Sequence, residues 1–254
     1  MASTGNAGAT RPHIFIQTNN KQSIGAIVSA YSMKRSPHAD KFDVTIMHKE
    51  NYPWFAKRDG QTYKRHGVDR VWHENDLQTF TLTRFLPPQL MGYQGRALVV
   101  DPDVFAVQDV WELLTRDMQG KAIMCRGSKF KNGAFASSVM LLDCAKLKHW
   151  DVEKSFNELF EGKRDYHNWI SLLMEDRNTI GTFEDEWNDF DKLTPKTKMI
   201  HNTRRRTQPW KTGLKVDYTP TEFVPVIGWI MRMRRQLFGE HALLGRYAKH
   251  PDPK

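Results

Sequence analysis

Apolar and polar positions along this chain fall into blocks that read alternately as strand and helix. His13–Gln17 (HIFIQ) is a strand pattern running into a polar turn, Thr18-Asn19-Asn20. Ser23 to Met33 has helical spacing, with Ile24, Ile27, Val28 and Tyr31 on one face. Phe42 to Met47 predicts a second strand, and the charged stretch His48–Asp76, with Tyr52, Trp54 and Phe55, a long loop holding short helical pieces. Thr79–Leu86 predicts a helix stopped by Pro87-Pro88. Ala97–Val100 is a continuous apolar run, the pattern of a strand buried on both faces. Asp109 is placed to cap a short helix from Val110. Ala122–Cys125 and Ala134–Leu142 are two more strands, Lys146–Glu161 is an amphipathic helix, and another helix begins near Asp165. This order predicts an α/β fold, with a mixed, mainly parallel sheet and helices on both faces.

Composition narrows the class of protein. The 254 residues are 39% hydrophobic and 11% aromatic, enough for a substantial core and against wholesale disorder. The opening MASTGNAGATRP lacks the apolar segment of a secretory signal. The uncharged apolar run 223–231 is too short to span a bilayer. Cys125 and Cys144 lie in apolar surroundings and read as reduced core residues, so a cytoplasmic protein is expected. The formal charge of +9 is concentrated at one end: residues 192–254 carry 14 Lys/Arg against 4 Asp/Glu. Such basicity fits nucleic acid, a membrane surface or phosphate.

Two segments carry chemistry. The apolar strand ends in Asp101-Pro102-Asp103. Side chains two apart on an extended chain leave on the same side, so these carboxylates can converge beyond the carboxyl end of a strand, where α/β sheets bind ligands. Two such anions suit Mg²⁺ or Mn²⁺; the alternative is a plain turn. The second segment, Thr194–Gly213, places His201 before Arg204, Arg205, Arg206 and Lys211. An imidazole completes an oxygen-rich metal site, and the cations beside it suit a diphosphate. A solvated basic loop is the competing reading of this segment taken alone.

Together these segments resemble the retaining glycosyltransferases of family 8, the glycogenin-like and galactosyltransferase-like group with the GT-A (Rossmann-like) fold. The likeness runs over about residues 13 to 213, with Asp101-Pro102-Asp103 similar to the family's Asp-x-Asp motif and His201–Trp210 to its late His…Pro-Trp motif. It implies that Asp101, Asp103 and His201 hold Mn²⁺ (or Mg²⁺), and that Thr18 and Asn19 lie at the nucleoside of a UDP-sugar. It also places Arg84, Ser137, Ser138, Arg204, Arg205 and Lys211 among the donor-binding residues. Asp165 is either a helix N-cap or the group that stabilises the oxocarbenium-like centre or orients the acceptor. The implied reaction is transfer of a hexose with retention, by attack from the face of departure. A catalytic domain over 13–215 would then follow a flexible 1–12 and precede a basic extension, 216–254.

The chain departs from the family at Ala136, where Asn is usual, at Tyr166 in place of Gln, and at Gln208 in place of Lys. The acceptor, a glycan, a lipid-linked sugar or a protein, is not written in the residues. Trp187-Asn188 reads either as an acceptor contact or, more simply, as a buried Trp holding a loop. Arg232, Arg234 and Arg235 after an apolar, Trp-containing run allow either peripheral contact with an anionic bilayer or a packed terminal helix. A nucleotidyltransferase is the enzymatic alternative, weakened by the lack of a Gly-rich phosphate loop. A nucleic-acid-binding protein is the non-enzymatic one, weakened by the lack of aromatics interleaved with the basic residues.

Overall fold

The computed structural model describes residues 10–127, 133–216, 230, 233, 237 and 245–250. The sequence segments 1–9 and 223–229 and all three arginines of the C-terminal run, Arg232, Arg234 and Arg235, lie outside the described residues. The chain separates into two compact units, one of residues 1–189 with 193–201, the other of 190–192 with 202–254.

The first unit is built on a six-stranded sheet. Its strands are β1 (His13–Thr18), β2 (Asp43–His48), β5 (Arg96–Val100), β7 (Ile123–Gly127), β8 (Phe135–Asp143) and β9 (Ile180–Phe183). Their order is β2-β1-β5-β8-β7-β9. β2, β1 and β5 run parallel, β8 runs antiparallel to β5 and β7, and β9 is parallel to β7. Helices flank the sheet, so the expected mixed, mainly parallel α/β architecture is the one observed. Ala97–Val100 is fully buried, as its unbroken apolar pattern requires. Between β7 and β8 the register jumps from Cys125↔Met140 to Arg126↔Ala136, a bulge that leaves Ser137 and Ser138 outside the β7 ladder.

Several elements differ from the sequence expectation for identifiable reasons. Helix α1 (Ser23–Lys34) forms, but it turns Ile24, Ile27, Val28 and Tyr31 to solvent and buries Gly25, Ala26, Ser29 and Met33. The small residues permit close approach, and Ser29 Oγ donates to the Val104 carbonyl at 2.6 Å. Within 48–76 lies a hairpin, β3 (Thr62–Arg65) and β4 (Val68–Val71), closed by His66 and Gly67. Both turn residues have positive φ, 54° and 72°, the conformation that a two-residue hairpin turn demands.

Thr79–Phe85 is a 3₁₀ helix, and Pro87-Pro88 open the short helix α2 (Pro87–Leu90) instead of ending the preceding one. Proline suits a first turn, where its missing N–H is not needed. Asp109 accepts from the Trp111 N–H at 3.0 Å at the start of α3 (Trp111–Leu114). The expected helix over 146–161 is shortened to α4 (Val152–Phe160), because Asp151 caps it through the Lys154 N–H.

Candidate functional site

The site begins where β5 stops. Asp101 follows Val100 directly, and its N–H donates to the Ser138 carbonyl at 2.9 Å, which fixes the backbone as it leaves the sheet. After Pro102 and Asp103 the chain enters β6 (Val104–Ala106). β6 pairs antiparallel with a strand almost a hundred residues later, Met199–His201, in the register His201↔Val104. That register brings the imidazole to the carboxylates: His201 Nε2 lies 3.3 Å from Asp103 Oδ1. Asp101, Asp103 and His201 each offer a ligand atom within 4.8 Å of the others, and they form a three-residue metal-ligand cluster among the described residues.

Each member is held from behind. Gln17, at the end of β1, donates its side-chain N–H to Asp101 Oδ1. Arg84, buried on the 3₁₀ helix, reaches both Asp101 oxygens with Nη2, at 3.0 and 3.2 Å. Its Nη1 donates to Ser137 Oγ, which in turn donates to the Ile170 carbonyl at the end of α5 (Tyr166–Ile170). Burial pushes the Asp101 carboxyl above its usual pKa, while Arg84 and His201 pull it down.

His201 Nδ1 meets Asn188 Oδ1 at 3.0 Å, and Asn188 Nδ2 donates to Ser138 Oγ at 2.9 Å. With the amide oxygen turned to the ring, Nδ1 donates to Asn188, and this bond orients the ring so that Nε2 faces Asp103. Asn188 is fully buried, and its own carbonyl accepts from Arg126.

This donor set fits a hard or borderline divalent cation. Two carboxylates and one imidazole suit Mn²⁺ or Mg²⁺, and a bound cation would offset the burial of Asp101.

The fold was compared with solved structures. The galactosyltransferase LgtC, in complex with donor and acceptor sugar analogs, superposes with a TM-score of 0.54 at 11% identity, over 76% of this chain and 87% of that one. The glycosyltransferase GlyE of Streptococcus pneumoniae TIGR4 gives 0.55 at 15% identity, over 80% of this chain and 56% of its own. A glycosyltransferase involved in glycosylation of the major capsid of PBCV-1 gives 0.51 at 10%, over 75% and 92%. The fold is that of the GT-A glycosyltransferases. No protein-family model matches the chain, and no curated protein sequence matches it.

The structure brings together Arg84, Asp101, Asp103, Ser137, Ser138 and His201 of the residues singled out by sequence. Thr18 and Asn19 are buried at the end of β1. Asn19 there builds the turn into α1: its Oδ1 accepts from the Lys21 and Gln22 N–H groups, and its Nδ2 donates to the Leu77 carbonyl. Asp165 is the N-cap of α5. Its carboxylate accepts from the His167 and Asn168 N–H groups and from His66 and Gly67 at the hairpin tip. Burial would raise its pKa, but these four donors outweigh burial and hold the carboxyl below its usual value.

Arg204, Arg205 and Lys211 belong to the second unit. There the Arg204 N–H donates to Asp191 Oδ1 at 3.0 Å, and Lys211 is buried with Nζ 5.3 Å from the Tyr247 ring centroid.

Gln17 has no place among the site residues expected from sequence, and Asn188 enters them only as an acceptor contact, not as a partner of His201. Gln17 is the last polar residue of an apolar strand pattern, the one signal that could have marked it. Trp187 is wholly buried, in keeping with the simpler reading of Trp187-Asn188. The acidic residues around it are tied down: Glu184 pairs with Arg116, Asp185 with Arg126, and Asp189 accepts from Thr197.

Two outcomes follow from these contacts. Asp165→Ala is expected to cost about 1–2 kcal/mol, seen as a lower urea midpoint at neutral pH. Because the folded-state pKa lies below the unfolded one, that contribution is complete above the ordinary carboxylate range. It fades as pH falls through the folded value, so variant and wild type converge in acid. Asn188→Leu is expected to weaken Mn²⁺ binding about 10- to 100-fold in an electron paramagnetic resonance titration, with far-ultraviolet circular dichroism unchanged.

Proposed function

We propose that the protein is a metal-dependent retaining glycosyltransferase that moves a hexose from a UDP-sugar to a glycan, lipid-linked or protein acceptor. The observation that carries this reading is the convergence of Asp101, Asp103 and His201 beyond the carboxyl end of β5, within a GT-A fold. The donor and acceptor analogs bound by LgtC support a nucleotide-sugar donor and a sugar acceptor here.

A divalent cation held by Asp101, Asp103 and His201 would supply the Lewis-acid charge that stabilises a departing diphosphate. Gln17 and Arg84 hold both oxygens of Asp101 and so fix the carboxyl's orientation. Arg84 is itself fixed by Ser137, and Ser137 by the α5 carbonyl, so the anionic pair meets the donor with its geometry already set. Asn188 holds the His201 ring in place through Nδ1.

The end of β1, Thr18 and Asn19, is the place for the nucleoside. Arg204, Arg205 and Lys211 stand as diphosphate contacts on the sequence resemblance alone. Asp165 acts as a positioning residue, joining the hairpin tip to α5, whose first residue is the buried Tyr166.

Calorimetric titration of UDP tests this reading. Micromolar-range binding that requires Mn²⁺, and is lost with EDTA or in Asp103→Asn, is the expected result. UDP binding that ignores both the metal and the carboxylate, or no binding in any condition, would overturn the assignment of donor and metal.

A further inference from the structure

Helix α1 carries an apolar face turned to solvent. Ile24, Ile27, Val28 and Tyr31 are 51%, 59%, 37% and 67% exposed. Spaced at i, i+3, i+4 and i+7, they form a single stripe along the helix. The opposite face is already committed. Gly25, Ala26, Ser29 and Met33 pack inward, and Ser29 and Ser32 hydrogen-bond the β6 backbone. The stripe is therefore not a core surface, and its contiguity sets it apart from the scattered apolar residues normal on a protein surface.

Charge selects the occupant. One turn before the stripe stands Lys21, whose Nζ donates to the Asn75 carbonyl. At the other end stand the exposed Lys34 and Arg35, with Arg35 in line with Tyr31. The chain has no acidic residue before Asp40, so the helix itself is free of negative charge. Carboxylates lie off the stripe: Asp109 accepts from Ser36 Oγ and meets His38 Nδ1 just past Arg35, and Asp40 follows in the next turn. Asp43 on β2 is paired with Arg11 at 3.3 Å, and Glu50 accepts from the Asn20 N–H.

A second copy of the chain is a poor occupant. Packed antiparallel, two such stripes oppose Lys21 to Arg35; packed parallel, they oppose each residue to itself. Either way, cations face cations with no carboxylate on the stripe between them. An anionic lipid surface satisfies both features. Its acyl boundary takes the isoleucines and the tyrosine ring, while its phosphates meet the basic ends.

We propose that α1 docks this protein on an anionic phospholipid surface through Ile24, Ile27, Val28 and Tyr31, with Lys34 and Arg35 at the headgroups. This surface is independent of the catalytic reading above. It also differs from the basic C-terminal run, most of which lies outside the described residues.

Vesicle flotation of the full chain tests it, with phosphatidylcholine alone against phosphatidylcholine containing about 30% phosphatidylglycerol. Wild type is expected to float only with the anionic vesicles. The double variants Ile27→Ser/Tyr31→Ser and Lys34→Gln/Arg35→Gln are each expected to reduce partitioning by about tenfold or more. Both change exposed side chains, so the thermal midpoint should hold. Unchanged flotation of both variants, as binding through another segment would give, overturns the proposal. So does failure of wild type to float, or a dimer in light scattering that Ile27→Ser/Tyr31→Ser dissolves.

Discussion

The antiparallel pairing of Val104 with His201 is the constraint on which the site depends. Asp101 and Asp103 are neighbours by covalent geometry, but an imidazole joins them only because a three-residue ladder fixes its place and direction. The ladder is short, and it is held at both ends. Val104 N–H donates back to the Asp101 carbonyl at 3.2 Å, and the Val107 N–H donates to the Lys198 carbonyl at 3.0 Å. A slip of one residue would turn His201 to the other side of its strand. The register is thus part of the chemistry, and the sheet beneath supplies its rigidity through a β5 with no exposed apolar side chain.

Electrostatics then explains the second ring of residues. A buried carboxylate is costly unless hydrogen bonds and opposite charge offset its lost hydration. Asp101 receives one guanidinium and one amide, and burial still drives its pKa upward. The same wiring reaches outward, from Asp101 through Arg84 and Ser137 to α5, and from His201 through Asn188 to Ser138 on the same strand, β8. The β8 bulge makes this possible, since it releases Ser137 and Ser138 from the β7 ladder while keeping Val139 in register with Val100.

Much of this was legible in the residues. The unbroken ALVV run followed by Asp-Pro-Asp marks a buried strand ending in a pair of carboxylates, because burial and strand geometry are local properties. His201 and Arg84 were legible through resemblance to a family motif, whereas their contacts with Asp103 and Asp101 are long-range and have no local signature. Asn188 was weighed only as an acceptor contact, because its role rests on sheet register and not on its neighbours in sequence. Helix α1 shows the opposite failure. Its apolar spacing was plain, yet which face is buried was decided by Gly25, Ala26 and Ser29, whose small size permits close approach to β6. The Pro87-Pro88 pair and Asp151 misled on element boundaries because the same residue types that end helices also begin them.

The central claim is that Asp101, Asp103 and His201 jointly hold a divalent cation. An anomalous difference map from crystals soaked in Mn²⁺ and UDP addresses it without reference to acceptor or turnover. A peak bonded to both carboxylates and to His201 Nε2, with UDP density beside it, is the predicted result. An ordered UDP with no anomalous peak at these three residues, or a peak bound elsewhere, would contradict it.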